Sequence, residues 1–410
     1  MKILQINKYH YVKGGADSVF FNTIELLKKH THQVIPFCIE HLQNEPSNFD
    51  AYFVNAPEIR DLNSNWKKIK SFRRFFINKD AMQKMDNLLE KEKPDIAHIH
   101  NLFNGISLSI LPILRKHHIP VVITIHDTRF ICPSSYFNLR GDFCRKCKKT
   151  FYINCILHRC YQNNYINSIM CAMEMFYKEH IFHYDPYISQ YIFVSKKYKE
   201  IHSSKHLYFK EKGIVLYNFI PNLEHIIPNF IKGNYLFYYG RITVEKGIIT
   251  LIKAMEKFPH IQLKVAGTGP LLNNLKEISP KNVIFLGFVS GEKLFNQVKN
   301  ASFVIVPSEW EENNPLTIIE SYAYGKPVIG SNIGGIPEII EEGKTGFTFE
   351  TFNCKSLETT IDKALHVSAK EYRLLSTNAR SFADKYFNAD KHFNSLMNIY
   401  NKAIQNYENI

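Results

Sequence analysis

The chain has 410 residues, 45% of them apolar and 22% charged, which excludes a disordered or fibrous protein and leaves room for two or three domains with large cores. No run reaches the roughly 18 to 20 apolar residues that cross a bilayer, and the five residues after Met1-Lys2 are too few for a signal-peptide apolar region, so a cytoplasmic protein is expected. A net charge of +13 asks for an anionic partner, whether nucleic acid, a membrane surface or a phosphorylated substrate.

In chain order, the first half alternates strands and helices. Ile3 to Ile6 reads as a strand, a helix through Phe21, Ile24 and Leu27 follows the Gly14-Gly15 loop, and Gln33 to Cys38 is the next strand. Glycines at a helix N-terminus let a ligand approach the backbone closely, although a Gly-Gly pair alone equally suits an ordinary turn. Residues 66–79 contain six Lys or Arg and no acid, interleaved with Trp66, Ile69, Phe72, Phe75 and Phe76. That pattern suits an amphipathic helix lying on an anionic membrane, or aromatics packed inward beneath solvated cations.

Two further strands end in polar residues, Ile96 to Ile99 at His100 and Val121 to Ile125 at His126-Asp127, and both ends are expected to open on one cleft. A loop histidine is usually structural. His126 directly follows a buried-type strand and is therefore the stronger active-site candidate, ahead of His98 and His100.

Five of the eight cysteines fall between residues 132 and 160, and Cys144, Cys147, Cys155 and Cys160 are spaced as C-x2-C and C-x4-C. In a cytoplasmic chain this predicts a structural tetrahedral Zn²⁺ site, with His158 able to replace one thiolate; reduced buried thiols and redox chemistry are the alternatives. A helix from Asn163 carries Met170, Met173 and Tyr177 on one face. Strands at Tyr191 to Val194 and Ile214 to Leu216 complete the first half, and the stretch from Pro221 to Gly233 is the expected linker.

The second half opens with a strand at Tyr235 to Tyr239, followed by Gly240-Arg241 and Glu245-Lys246-Gly247. An Arg forks onto phosphate oxygens while a Lys supplies a compact charge, so this strand end suits an anion. Strands at Gln262 to Ala266, before Gly267-Thr268-Gly269-Pro270, and at Val283 to Leu286 continue the sheet. The run Phe303 to Val306 stops at Pro307-Ser308, and a helix begins near Pro315, whose position leaves the backbone N–H groups of Leu316 and Thr317 directed outward with the positive end of the helix dipole. Glu312 and Glu320, with seven residues between them, are placed to grip sugar or ribose hydroxyls beside a phosphate. After Phe349 only helices are expected, ending in an amphipathic stretch with Phe393, Leu396, Ile399 and Tyr400.

The ordered set Gly240-Arg241, Glu245-Lys246-Gly247, Glu312-x7-Glu320, Gly325-Lys326-Pro327, Gly334-Gly335-Ile336-Pro337-Glu338 and Gly343-Lys344-Thr345-Gly346 resembles the donor site of family 4 glycosyltransferases. The resemblance implies an α/β fold with two Rossmann-like doubly wound domains facing a cleft, the GT-B architecture. It divides the chain into an acceptor domain at 1–222 with a Cys-rich insertion near 132–160, a nucleotide-sugar domain at 223–388, and a terminal helix at 389–410 that crosses back. The implied activity is retaining transfer of a sugar from a nucleotide-diphosphate sugar to a glycan hydroxyl, on a lipid-linked acceptor of a capsule, O-antigen or other bacterial surface polysaccharide, at the inner face of the cell membrane.

The resemblance also assigns roles. Gly14, Gly15, Arg241, Lys246, Gly267, Asn314, Pro315, Leu316 and Thr317 surround the donor; Glu312 holds the transferred sugar, Glu320 the ribose, and His126 the acceptor side. The sequence lacks an Asp-x-Asp motif, so Arg241, Lys246 and helix N-termini are expected to replace a divalent ion on the pyrophosphate, and catalysis is expected to need no metal. One departure stands at Asn313-Asn314-Pro315, where the family carries a glycine, and it bears on which sugar is selected. Two rivals are a catalytically silent GT-B scaffold and a nucleic-acid binder built on a zinc module; the basic residues are not gathered around the cysteines, which disfavours the second.

Overall fold

The computed structural model describes residues 1–56, 72–103, 105–135, 138–139, 142–144, 146–147 and 151–408. Strands β1 (Lys2–Ile6), β2 (Gln33–Phe37), β3 (Ile96–Ile99), β4 (Val121–Ile125), β7 (Gln190–Phe193) and β8 (Gly213–Val215) form one parallel sheet in the order β2-β1-β3-β4-β7-β8, and β5 (Asn138–Leu139) with β6 (Asp142–Phe143) makes a small hairpin. Strands β9 (Tyr235–Tyr239), β10 (Gln262–Ala266), β11 (Val283–Gly287), β12 (Phe303–Val306), β13 (Val328–Ser331) and β14 (Gly346–Phe349) form a second, in the order β11-β10-β9-β12-β13-β14. Every pairing within both sheets is parallel. Helices cover both faces, so β3, β4, β12 and β13 are buried throughout, which is why they are mostly apolar rather than alternating.

The last helix, Ala389–Glu408, follows the second sheet in sequence but packs on the first. Its Leu396, Ile399, Tyr400 and Ala403 share one core with Ile3, Phe20, Ile96, Val122 and Ile192. The two chain crossings between the halves lie side by side, with the Ile220 N–H donating to the Phe387 carbonyl at 2.9 Å.

One expectation is only partly covered by the structure and another meets a different outcome. Residues 66–71 of the basic aromatic segment lie outside the described residues; in the helical stretch 72–76, the Phe76 ring sits 5.1 Å from that of Tyr177, so part of the aromatic face is spent on packing. In the Tyr165–Tyr177 helix, Met170 is buried while Met173 is half exposed, because the covered face is that of Met170, Cys171 and Met175.

Candidate functional site

Each sheet reverses its strand order once near its middle, and ligands in open α/β sheets bind outside the carboxyl ends of strands at such a point. In the first sheet the reversal separates β1 from β3; in the second it separates β9 from β12. The loops leaving these strands, with the one after β4, line a single cleft of about 710 Å³. Its first-domain wall includes Lys13, Gly14, Gly15, Asn101, His126 and Asp127; its second-domain wall includes Arg241, Lys246 and the segment Ser308 to Thr317.

The glycine loop is built by Asp17. Its carboxylate accepts from the Gly14 N–H at 3.0 Å, the Lys13 N–H at 3.3 Å and Asn7 Nδ2 at 2.9 Å, forming a capping box at the start of the Gly15–Lys29 helix. Burial raises the Asp17 pKa. A Cβ on Gly14 would meet nothing within 4 Å, and one on Gly15 would lie 3.8 Å from Leu316 across the cleft, so the loop borders open space.

Opposite it, the cations gather around an aromatic ring. Lys246 Nζ lies 5.0 Å and the Arg241 guanidinium 6.0 Å from the Trp310 ring centroid. Arg241 is 57% exposed and held only loosely by Glu245 at 3.5 Å, so its fork is available to a ligand. Lys246 Nζ contacts Glu312 Oε1 at 2.5 Å, and Ser308 Oγ donates to the same oxygen at 2.7 Å. Burial penalises the Glu312 charge, yet Lys246, with hydrogen bonds from Lys246, Ser308 and Trp310, holds the carboxyl below its ordinary range. Pro315 is the N-cap of the Leu316–Ala323 helix, and no side chain among the described residues caps it, so its first N–H groups face the cleft beside the two cations.

Glu320 stands one turn into that helix, behind the cleft wall. Tyr239, which lines the cleft, donates to its Oε2 at 2.9 Å, and burial lifts the carboxyl to about 7 against that hydrogen bond. Gly267 does not line the cleft. Its φ is +142°, and a Cβ there would fall 1.9 Å from the Gly240 carbonyl oxygen, so it lets the ends of β9 and β10 touch. Asn314 lines the cleft but accepts from the Asn218 N–H at 2.9 Å through Oδ1, while its Nδ2 is buried with no hydrogen-bond partner among the described residues.

His126 is the outer end of a buried polar chain. Its Nε2 lies 3.0 Å from His100 Nδ1, His100 Nε2 lies 3.1 Å from Gln5 Oε1, and Gln5 Nε2 donates to the Tyr400 hydroxyl at 3.3 Å. Tyr400 also pairs with His98 Nδ1 at 2.7 Å, and His98 Nε2 with Thr124 Oγ1 at 2.7 Å. Burial depresses all three histidines, His126 to about 4 and His98 to about 3, so the rings are neutral. With Gln5 accepting from His100 Nε2–H, His100 Nδ1 accepts from His126 Nε2–H, which leaves His126 Nδ1 as its lone-pair nitrogen. His98 and His100 thus support His126 and do not line the cleft.

Trp310 and Asp17 were not singled out in the sequence, Ser308 appeared only as a strand end, and Asn313 only as part of the Asn313-Asn314-Pro315 departure. Asn313 is a bolt between the domains: Nδ2 donates to the Ile125 carbonyl at 2.9 Å, and Ser195 Oγ donates to Oδ1 at 2.8 Å. Gly334 and Gly335 form more than a turn, since Cβ atoms there would fall 2.2 Å from the Glu312 and 1.8 Å from the Asn313 carbonyl oxygens. Only glycine lets this segment brace the Glu312 loop. The signal for Asn313 in the sequence was its place between Glu312 and the helix start.

The cysteines of the expected zinc site lie near one another, with the Cys155 thiol hydrogen-bonded to Cys160 and with Cys132, Cys144 and Cys160 near enough to raise the Cys147 thiol. Among the described residues no group of three or more His, Cys, Asp or Glu is gathered to hold a metal ion, and the thiols of Cys155 and Cys160 also face the carbonyls of Ser168 and Asn154, each at 3.9 Å. Cys144 and Cys147 are half-buried free thiols. The hydrogen bond from Cys155 lowers the Cys160 thiol to about 7 and raises its partner.

Comparison with known proteins agrees with this geometry. The family model "Glycosyltransferase Family 4" matches residues 13–161 and "Glycosyl transferases group 1" matches residues 222–382. An uncharacterized glycosyltransferase of Methanocaldococcus jannaschii is 30% identical over 53% of this chain and 60% of its own length. An uncharacterized 41.2 kDa protein in the cps region of Klebsiella pneumoniae is 24% identical over 95% of this chain and 97% of its own. The crystal structure of Anabaena HepE in complex with UDP superposes with a TM-score of 0.64 at 16% identity, over 97% of this chain and 99% of that one, and so shares the fold. With residues 13–161 and 222–382 matched by glycosyltransferase family models and the fold shared with a solved protein over nearly the whole chain, the chain belongs to the family 4 glycosyltransferases of GT-B fold.

Proposed function

We propose that the cleft transfers a sugar, with retention of configuration, from a nucleotide-diphosphate sugar to a hydroxyl of a lipid-linked glycan in cell-surface polysaccharide synthesis. The observation that carries this reading is the convergence of Arg241, Lys246 and the uncapped N-terminus of the Leu316–Ala323 helix on one wall, facing the open Gly14-Gly15 loop. That set neutralises a diphosphate leaving group without a divalent ion. Glu312 takes hydroxyls of the transferred sugar, Glu320 acts on the ribose side through the cleft-lining Tyr239 hydroxyl that it accepts from, and the lone pair of His126 Nδ1 orders the acceptor side.

In the reaction, the bond from the sugar C1 to the diphosphate oxygen breaks and a bond from C1 to the acceptor oxygen forms on the same face. The acceptor proton passes to the departing phosphate oxygen. Closure of the domains, hinged at the paired crossings near Ile220 and Phe387, expels the water that would otherwise compete. The likeness to HepE bound to UDP puts UDP-sugars first among donors, and the likeness to a protein of a cps region favours a capsule-type glycan.

The test is proton NMR of the product formed from an α-linked donor, with and without a chelator. An α-linked product formed equally well in chelator is expected; an inverted anomer, or loss of activity in chelator, overturns the corresponding part of the reading.

A further inference from the structure

Soluble proteins keep contiguous apolar surface small, and larger patches mark contacts with other molecules. Here the solvent face of the Tyr165–Tyr177 helix is apolar along its length: Ile166 is 63% exposed, Met173 50% and Phe176 36%, with Ile169 between them at helical spacing. Phe151, 66% exposed, stacks on Phe176 at 6.1 Å and extends the face onto the preceding segment, where Leu157 is 64% exposed. These side chains are outside both domain cores and the sugar-transfer cleft.

Within residues 144–183, which carry this face, the exposed charges are cationic. From Cys144 to His183 the sequence holds only two acids, Glu174 and Glu179. Glu174 is buried against Arg129, and Glu179 is buried 3.2 Å from His206 Nε2. Arg159 and Lys146 remain exposed at the rim, with the Arg159 guanidinium 4.5 Å over the Tyr165 ring. The helical stretch 72–76 joins the same surface through Phe76 and Tyr177, and brings exposed Arg73. No helix among the described residues is long and apolar enough to cross a membrane.

We infer that this apolar face with its cationic rim docks on an anionic lipid surface, lying in the headgroup region rather than spanning it. Charge favours lipid over a second copy of the chain: a self-interface here would press Arg159 and Lys146 against like charges, since both acids of residues 144–183 are already buried in ion pairs. The docking helix is coupled to the cleft. Glu174, on its buried side, pairs with Arg129, two residues beyond Asp127, and Lys178 Nζ donates to the Arg129 carbonyl at 2.6 Å. A lipid-bound helix therefore holds the His126-Asp127 wall beside the surface on which a lipid-linked acceptor is presented. This deepens the proposed function and rests on it for the identity of the acceptor, though not for the docking itself.

The experiment is vesicle co-sedimentation of the full chain with phosphatidylcholine vesicles and with vesicles containing about one-third phosphatidylglycerol. The parent is compared with Ile166→Ser/Met173→Ser/Phe176→Ser and with Arg159→Glu; thermal melting, nucleotide-sugar binding and sedimentation velocity are read on the same samples. The parent is expected to bind the anionic vesicles at least about tenfold more tightly than the neutral ones, and both variants to lose about tenfold or more with melting and donor binding unchanged. Equal binding by parent and variants, no binding by the parent, or a parent dimer that the triple variant converts to monomer overturns the proposal. Absent donor binding in a parent that still docks would defeat the transferase reading alone.

Discussion

Lys246 Nζ lies 2.5 Å from Glu312 Oε1, so the cation assigned to the diphosphate is the counterion of the carboxylate assigned to the sugar. The pair connects β9 to β12 across the reversal of strand order, and both partners are largely buried. Lys246→Ala removes the charge that outweighs burial at Glu312, leaving a buried carboxylate without its partner. The expected cost is roughly 3 kcal/mol of stability, together with at least a tenfold loss of donor affinity. The sign follows from the depressed Glu312 pKa: its stabilising contribution is present above the unfolded value and is lost as pH falls through the folded one. Chemical denaturation as a function of pH should therefore show this acid-side loss in the parent and its absence in the variant.

Glu320 titrates the other way. Burial lifts its carboxyl to about 7, so folding favours the protonated form, and stability present below the unfolded value near 4.5 is lost as pH rises through about 7. Glu320→Gln keeps an acceptor for the Tyr239 hydroxyl and removes the titration. The variant should be more stable than the parent at pH 8, by up to about 3 kcal/mol, and indistinguishable at pH 4. Donor affinity should nevertheless fall, because a neutral amide is a weaker acceptor for the Tyr239 hydroxyl that lines the cleft.

The glycines separate packing from ligand contact. In Gly335→Ala, the added Cβ would stand 1.8 Å from the Asn313 carbonyl oxygen, which forces the Glu312-Asn313 loop to shift; melting temperature and turnover should both drop. Gly14→Ala meets nothing within 4 Å in extended backbone, so melting should be unchanged while donor affinity falls. Equal effects of the two substitutions on stability would remove the distinction.

Much of this was legible in the sequence because parallel strands buried on both faces read as apolar runs, and their polar carboxyl ends mark the cleft. Arg241, Lys246, Glu312 and His126 were found that way, and they do line it. What escaped depended on long-range partners. Nothing in the local sequence says that Asn313 will meet Ser195, 118 residues away, or that Gly267 serves the packing of two strand ends. Helical spacing identified a face in 165–177 but not which side the fold would cover, so Met173 was placed with Met170. Cysteine spacing likewise says nothing of the Ser168 carbonyl that the Cys155 thiol of the Ile153–Leu157 helix also faces.

The most direct test of the central claim is equilibrium binding and slow hydrolysis of UDP-, GDP- and ADP-sugars by the parent and by Arg241→Ala. Arg241 is exposed and, among the described residues, its guanidinium makes just the loose contacts to Glu245 and the Trp310 ring, so its loss should leave melting nearly unchanged while removing charge-assisted hydrogen bonds to the diphosphate. The account predicts that one nucleotide class binds and turns over, and that the variant binds it about 10- to 100-fold more weakly. A parent that binds no nucleotide sugar, or a variant that binds as tightly as the parent, contradicts it.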